Sequence, residues 1–259
     1  MALDTASAGI RLHFIDGGAG DPPLVFVPGW CCDHTFFQPQ FDHFKRSNRV
    51  FAVDPRGFGQ SDRPHGGYDI PTQADDVARV CRDIGLVKPV IIGHSLGGMI
   101  AVDLAARYPT LVRAVVAVDP GPLHMLPETR AMFEAFIAAL EGPDSKTVRE
   151  QYIEDMFAAQ DDPKRCQWIK ETMCSVPIDV ALAQLRGVLD WNGVGALSLS
   201  TSPLLVLRRG TGGSNEPSRL HAQRDGIKFG VIVGAGHFFQ LEVPDQVNPM
   251  IERFLKGLA

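Results

Sequence analysis

Gly93-His94-Ser95-Leu96-Gly97-Gly98 is the sharpest chemical signal in the chain: a serine between glycines, preceded by the apolar run Val90 to Ile92 and followed by a helical pattern from Met99. A serine hydroxyl is a weak nucleophile until a neighbouring base takes its proton. A sharp strand-to-helix turn projects that oxygen into the open, and small flanking residues let strand and helix pass closely. The same turn puts the backbone N–H of Leu96 at a helix N-terminus, where it can donate to a developing oxyanion. His94 reads as a packing or hydrogen-bonding neighbour, because adjacent residues on so tight a turn point in different directions. The bare spacing is common in proteins; its place between strand and helix gives it weight.

The base must come from elsewhere in the chain. Among eight histidines, His237 follows the apolar run Gly230 to Val233 and so falls at a strand's C-terminal end, where open α/β sheets gather their functional groups. His13, His43 and His65 lie in polar stretches and are expected to be exposed, and His34 reads as a helix-starting surface residue that could reach a substrate. A carboxylate is needed to hold the imidazole tautomer and stabilise the imidazolium. Asp119 ends the run Ala114 to Val118, on the same expected sheet edge; its bland alternative is a turn residue before Pro120. Cys31 and Cys32 read as small buried fillers, since no basic partner is evident.

These features occur in an order that resembles the α/β-hydrolase fold family over nearly the whole chain. Leu24-Val25-Phe26-Val27-Pro28-Gly29-Trp30 is similar to the family's strand and oxyanion loop, and Asp54-Pro55-Arg56-Gly57-Phe58-Gly59-Gln60-Ser61 to its turn after the next strand. The bend at Ser95 follows, then Gly234-Ala235-Gly236-His237-Phe238, similar to the loop carrying the family's histidine, and an amphipathic terminal helix around Val247 to Leu258. The resemblance implies a serine hydrolase that cleaves a small or medium carboxylic ester or lactone through an acyl-enzyme. Ser95 would be the nucleophile, His237 the base, and the N–H groups of Trp30 and Leu96 the oxyanion hole, with no metal or organic cofactor required. Most relatives carry the acid after the strand that here is Leu204 to Leu207, yet Gly210, Gly212 and Gly213 occupy the expected places. Either Glu216 or Asn215 substitutes, or the acid has moved to Asp119, as in certain lactonases and cofactor-free dioxygenases on this fold; Asp119 is preferred. That relocation keeps open a dioxygenase or C–C bond hydrolase, and a non-enzymatic ligand receptor is a third reading. Dehalogenase and epoxide hydrolase chemistry is disfavoured, because those relatives use an aspartate where Ser95 stands.

The elements that must position these residues alternate. Short apolar runs at Leu24 to Val27, Val50 to Val53, Pro89 to Ile92, Ala114 to Val118, Leu204 to Leu207 and Gly230 to Val233 read as strands, with helical patterns at Gln73 to Ile84 and Met99 to Arg107. A mostly parallel sheet flanked by helices follows. Between Leu123 and Ser200 the alternation stops, and three helical patterns succeed one another. Their apolar faces are Met132, Phe133, Phe136, Ile137 and Leu140; Val148, Tyr152, Met156 and Phe157; and Ile178, Leu182, Leu185 and Leu189. The expected organisation is a core of residues 1–122 and 201–259 with a helical lid inserted at 123–200.

Composition agrees with a globular chain: 259 residues, 45% hydrophobic and 21% charged, enough to bury a sizeable core. The net charge of −5 and the lack of a basic stripe argue against nucleic acid. Five cysteines, odd in number and without C-x-x-C spacing, argue against a disulfide framework or structural zinc. With no apolar run of membrane-spanning length and no leader-like start, the expectation is a cytoplasmic monomer or homodimer acting on a small molecule, with no membrane partner.

Overall fold

The computed structural model describes residues 2–7, 9–210 and 213–258. Eight strands form one sheet: β1 (Ala2–Ser7), β2 (Ile10–Gly17), β3 (Leu24–Val27), β4 (Val50–Val53), β5 (Val90–His94), β6 (Ala114–Val118), β7 (Leu204–Arg209) and β8 (Lys228–Ile232). Their order across the sheet is β1-β2-β4-β3-β5-β6-β7-β8, with β2 antiparallel to both its neighbours, β1 and β4, and every other pair parallel. The parallel strands were legible as apolar runs because helices cover both faces and every second side chain is buried on a different side. Val25, Val27, Ile91, Val115, Ala117 and Val206 enter one core; Leu24, Phe26, Val90, Ile92, Val116 and Leu205 enter the other.

The first core packs against α2 (Ile70–Asp83) and α3 (Leu96–Arg107), the second against α1 (Gln38–Phe44) and, near the end of the chain, the amphipathic Pro244–Lys256 helix. Two strands escape the sequence pattern and a third is displaced from it. The β1–β2 hairpin has too few apolar runs to announce itself, and β8 sits at the sheet edge, so Val231 is half exposed and the run expected at 230–233 is shifted to Lys228–Ile232. His13, expected in the open, is buried on β2, where its ring lies 5.5 Å from that of His34.

Five helices, not three, fall between β6 and β7: α4 (Pro127–Leu140), α5 (Ser145–Glu154), α6 (Pro163–Cys174), α7 (Ile178–Asp190) and α8 (Gly193–Leu199). The sequence concealed α6 because it buries only Ile169 and Met173, too few positions for a stripe, and α8 because it is seven residues long. Met132 and Ile178, assigned to buried faces, are exposed. The insertion is tied to the sheet layer by two indoles, Trp191 Nε1 donating to Asp103 Oδ1 at 2.8 Å and Trp30 Nε1 to the Ala181 carbonyl at 2.9 Å. After β7 come α9 (Pro217–His221), β8, the short α10 (Phe239–Glu242) and α11 (Pro244–Lys256). Among the described residues no helix is long and apolar enough to cross a membrane.

Candidate active site

Ser95 stands between β5 and α3 with φ 52° and ψ −117°, a conformation that costs a non-glycine residue energy and persists only where its surroundings enforce it. The glycines are the enforcement. A Cβ on Gly93 would lie 2.0 Å from the Gly97 carbonyl oxygen, and one on Gly97 would lie 2.0 Å from that of Val27. Hydrogen bonds pin the bend itself: the Ser95 N–H donates to Val118 O at 2.9 Å, and Ser95 O accepts from the N–H groups of Gly98 and Gly121, each at 3.0 Å. Leu96 is the first residue of α3, so its N–H has no intrahelical acceptor and lies at the positive end of the helix dipole.

The loop after β3 passes beside this bend, since a Cβ on Gly29 would sit 3.0 Å from Ser95 Cβ. Trp30 follows, with its ring edge-on to Phe136 and Tyr152 at 5.9 and 6.0 Å and the Arg149 guanidinium 5.4 Å above it. Arg149, from α5, donates to the carbonyls of Val176 and Met173 and to Cys31 Sγ at 3.0 Å. This basic partner for Cys31 was invisible in sequence, being 118 positions away. It does not activate the thiol: burial, only partly opposed by Arg149, pushes Cys31 up to about 12, and burial raises Cys32 as well. Both stay protonated, as small buried fillers do.

His237 reaches the same place from the loop after β8. Its N–H donates to Met156 O at 2.7 Å, and its carbonyl accepts from His94 Nε2 at 3.0 Å. Burial, reinforced by the nearby His237, lowers His94 to about 3, so this ring is neutral, with Nε2 protonated and Nδ1 buried without a partner among the described residues. His237 Nδ1 lies 2.6 Å from Asp119 Oδ2. Asp119 terminates β6 at φ 37°, its N–H held by Leu207 O at 2.8 Å, and Arg209 Nε donates to the same Oδ2 at 2.9 Å. Burial alone would raise this carboxyl, but the His237 hydrogen bond and the charges of His237 and Arg209 outweigh it and hold Asp119 below the usual range.

The rival acids are engaged elsewhere. Glu216 pairs with Arg208 at 3.2 Å, while Asn215 accepts from the Leu123 N–H at 2.9 Å and donates to the carbonyls of Pro120 and Gly121. Asn215 thus shapes the loop after Asp119. Gly212, one of the glycines noted after β7, lies outside the described residues, with Thr211. Ser95, His237, Trp30, Gly29, Met156 and Met173 all border one cavity of about 10 Å³, room for about one water. His13, His34 and Asp54 also cluster, but His34 Nδ1 is 2.7 Å from Asp54 Oδ1, a hydrogen-bond distance shorter than the separation of two ligands on one tetrahedral ion. Asp54 further accepts from the N–H groups of His34 and Gln60, so the cluster is a loop-bracing network. Arg209 and Asp161 are site neighbours that sequence reasoning missed; the one available signal was an arginine at the C-terminal end of an apolar strand.

A family model described as alpha/beta hydrolase fold matches residues 22–167. A 2-(acetamidomethylene)succinate hydrolase of Mesorhizobium japonicum is 38% identical over 113 residues, 44% of this chain; the match spans 40% of that relative's length. Among solved structures, a thermophilic esterase from Thermogutta terrifontis superposes with a TM-score of 0.85 at 26% identity, over 100% of this chain and 99% of that one. Est816, described as an N-acyl homoserine lactone degrading enzyme, gives 0.84 at 28% identity, over 97% and 100%.

Proposed function

The chain belongs to the alpha/beta hydrolase fold family, and from that premise we propose that it hydrolyses a small or medium carboxylic ester or lactone through an acyl-enzyme. The observation that carries the reading is the pairing of a strained, glycine-enforced Ser95 with His237 across one cavity, the imidazole backed by Asp119 at 2.6 Å. His237 takes the Ser95 proton as the hydroxyl attacks the substrate carbonyl, then returns it to the leaving oxygen. The N–H groups of Leu96 and Trp30 receive the oxyanion, an interaction worth about 3 kcal/mol per donor in such sites. Water activated by His237 then releases the acid. Asp119 keeps Nδ1 protonated and stabilises the imidazolium.

Substrate class follows from the surroundings. The insertion at 123–200 acts as a lid, and Phe136 and Tyr152, stacked at 3.9 Å beside Trp30, offer an apolar wall for an acyl or alcohol group. Because the cavity is about 10 Å³, part of that lid shifts when substrate enters. The likeness to a thermophilic esterase and to a lactone-degrading enzyme supports an oxoester over an amide.

The test is fluorophosphonate labelling with mass spectrometry of the modified peptide, alongside burst release of nitrophenol from a p-nitrophenyl ester. The reading expects the label on Ser95 and no burst from Ser95→Ala. Turnover that survives Ser95→Ala but dies with His237→Ala would replace it with a base-only reaction.

A further inference from the structure

The segment between α5 and α6 is bonded directly to the loop that carries His237. The Gly236 N–H donates to both carboxylate oxygens of Asp161, each at 3.1 Å, and the Ala158 N–H donates to Oδ2 at 2.9 Å. Asp161 is 6% exposed, and its own N–H closes the turn on Ala158 O at 3.0 Å. One residue on, the His237 N–H donates to Met156 O at 2.7 Å. The fit leaves no room for a side chain, because a Cβ on Gly236 would stand 2.5 Å from both Asp161 Oδ2 and Met156 O. His94 Nε2 holds the His237 carbonyl from the other side at 3.0 Å.

We infer that Asp161 is a positioning residue for His237: its buried carboxylate, with the Met156 carbonyl, fixes the backbone from which the imidazole reaches between Ser95 and Asp119. This rests on the triad reading above. An ionised acceptor binds backbone N–H groups more strongly than a neutral one, so the clamp is stiff where the base needs it. A displacement of a catalytic group by about 1 Å costs on the order of 10²-fold in rate. This stretch of the insertion therefore moves with the base, and substrate admission falls to other parts of the insertion, such as α4 with Phe136.

The experiment compares Asp161→Ala, Asp161→Asn and Gly236→Ala with the wild-type chain, reading kcat and KM on a p-nitrophenyl ester, the rate of fluorophosphonate labelling of Ser95, and thermal melting. Asp161→Ala is expected to lower kcat and the labelling rate together by about 10- to 100-fold with KM within about twofold. Asp161→Asn, which keeps an acceptor, recovers part of the loss. Gly236→Ala gives a similar loss, and the double variant Asp161→Ala with Gly236→Ala is no worse than the poorer single one, since both break one contact. A lowered melting point with wild-type kcat and labelling in Asp161→Ala would overturn the inference, leaving the contact as stabilising only. Should Asp161→Ala not fold, wild-type rates in both Asp161→Asn and Gly236→Ala would overturn it equally. No labelling of the wild-type chain would instead sink the nucleophile reading, and this inference with it.

Discussion

Asp119 Oδ2 accepts from two side chains at once, His237 Nδ1 at 2.6 Å and Arg209 Nε at 2.9 Å. The parallel register of β6 on β7, Val118 opposite Leu207, creates this meeting by carrying Asp119 past the strand end beside the arginine. A carboxylate so placed stays ionised while its face toward His237 remains buried.

Replacing Asp119 by Asn removes the charge that backs the imidazole and leaves the amide free to favour the wrong tautomer. The expected loss in kcat/KM on a p-nitrophenyl ester is about 10³- to 10⁴-fold. Glu216→Gln, which weakens the ion pair with Arg208, should stay within about threefold of wild type. Fluorophosphonate labelling of Ser95 at an undiminished rate in Asp119→Asn would show that the acid lies elsewhere.

Arg209→Met deletes the second donor to Asp119 while keeping an aliphatic stem of similar length. The guanidinium side chain is 40% exposed, so the pair is screened by solvent and contributes less than about 1 kcal/mol, roughly a threefold to fivefold fall in kcat. Steady-state rates at low and high salt check this: raising salt should weaken the wild-type chain slightly and the variant not at all.

Gly97→Ala should damage the fold before it damages chemistry. The new methyl would meet the Val27 carbonyl at 2.0 Å, and neither α3 nor β3 can retreat without opening a core. Loss of at least ~3 kcal/mol is expected, a melting temperature lower by about 6 °C or more. Circular dichroism on the purified variant, or its failure to accumulate in soluble form, reads the outcome.

His34 gives the stability of the chain a signature in pH. Its hydrogen bond to Asp54 at 2.7 Å, opposed in part by burial, raises the imidazole above its ordinary 6.5. A folded value above the unfolded one stabilises fully below about 6.5 and is lost as pH rises through the raised value. His34→Gln should therefore lower the melting temperature most at mildly acid pH, and the gap to wild type should close on going alkaline. A gap that widens with pH would refute the assignment of the proton to this pair.

Much of the architecture could be read because it is written locally. The β-branched runs that become β3 to β7 are buried on both faces, and the bend at Ser95 needs only five consecutive residues, with glycines where a Cβ would strike a carbonyl. Strand β2 and helix α6 were not legible, because three consecutive buried positions in the one and two buried positions in the other leave no periodic stripe.

What the sequence alone determined is the fold class, the strained bend and the short set of acids competing for His237. Bringing Asp119, and not Glu216 or Asn215, beside His237, finding Arg209 on the same carboxylate, and joining Asp161 to Gly236 all required the tertiary structure. Those contacts span 118, 90 and 75 positions for His237–Asp119, Arg209–Asp119 and Gly236–Asp161. At such separations, side-chain neighbours are set by strand register and by how the insertion packs back on the sheet, and no pattern within a single segment encodes either.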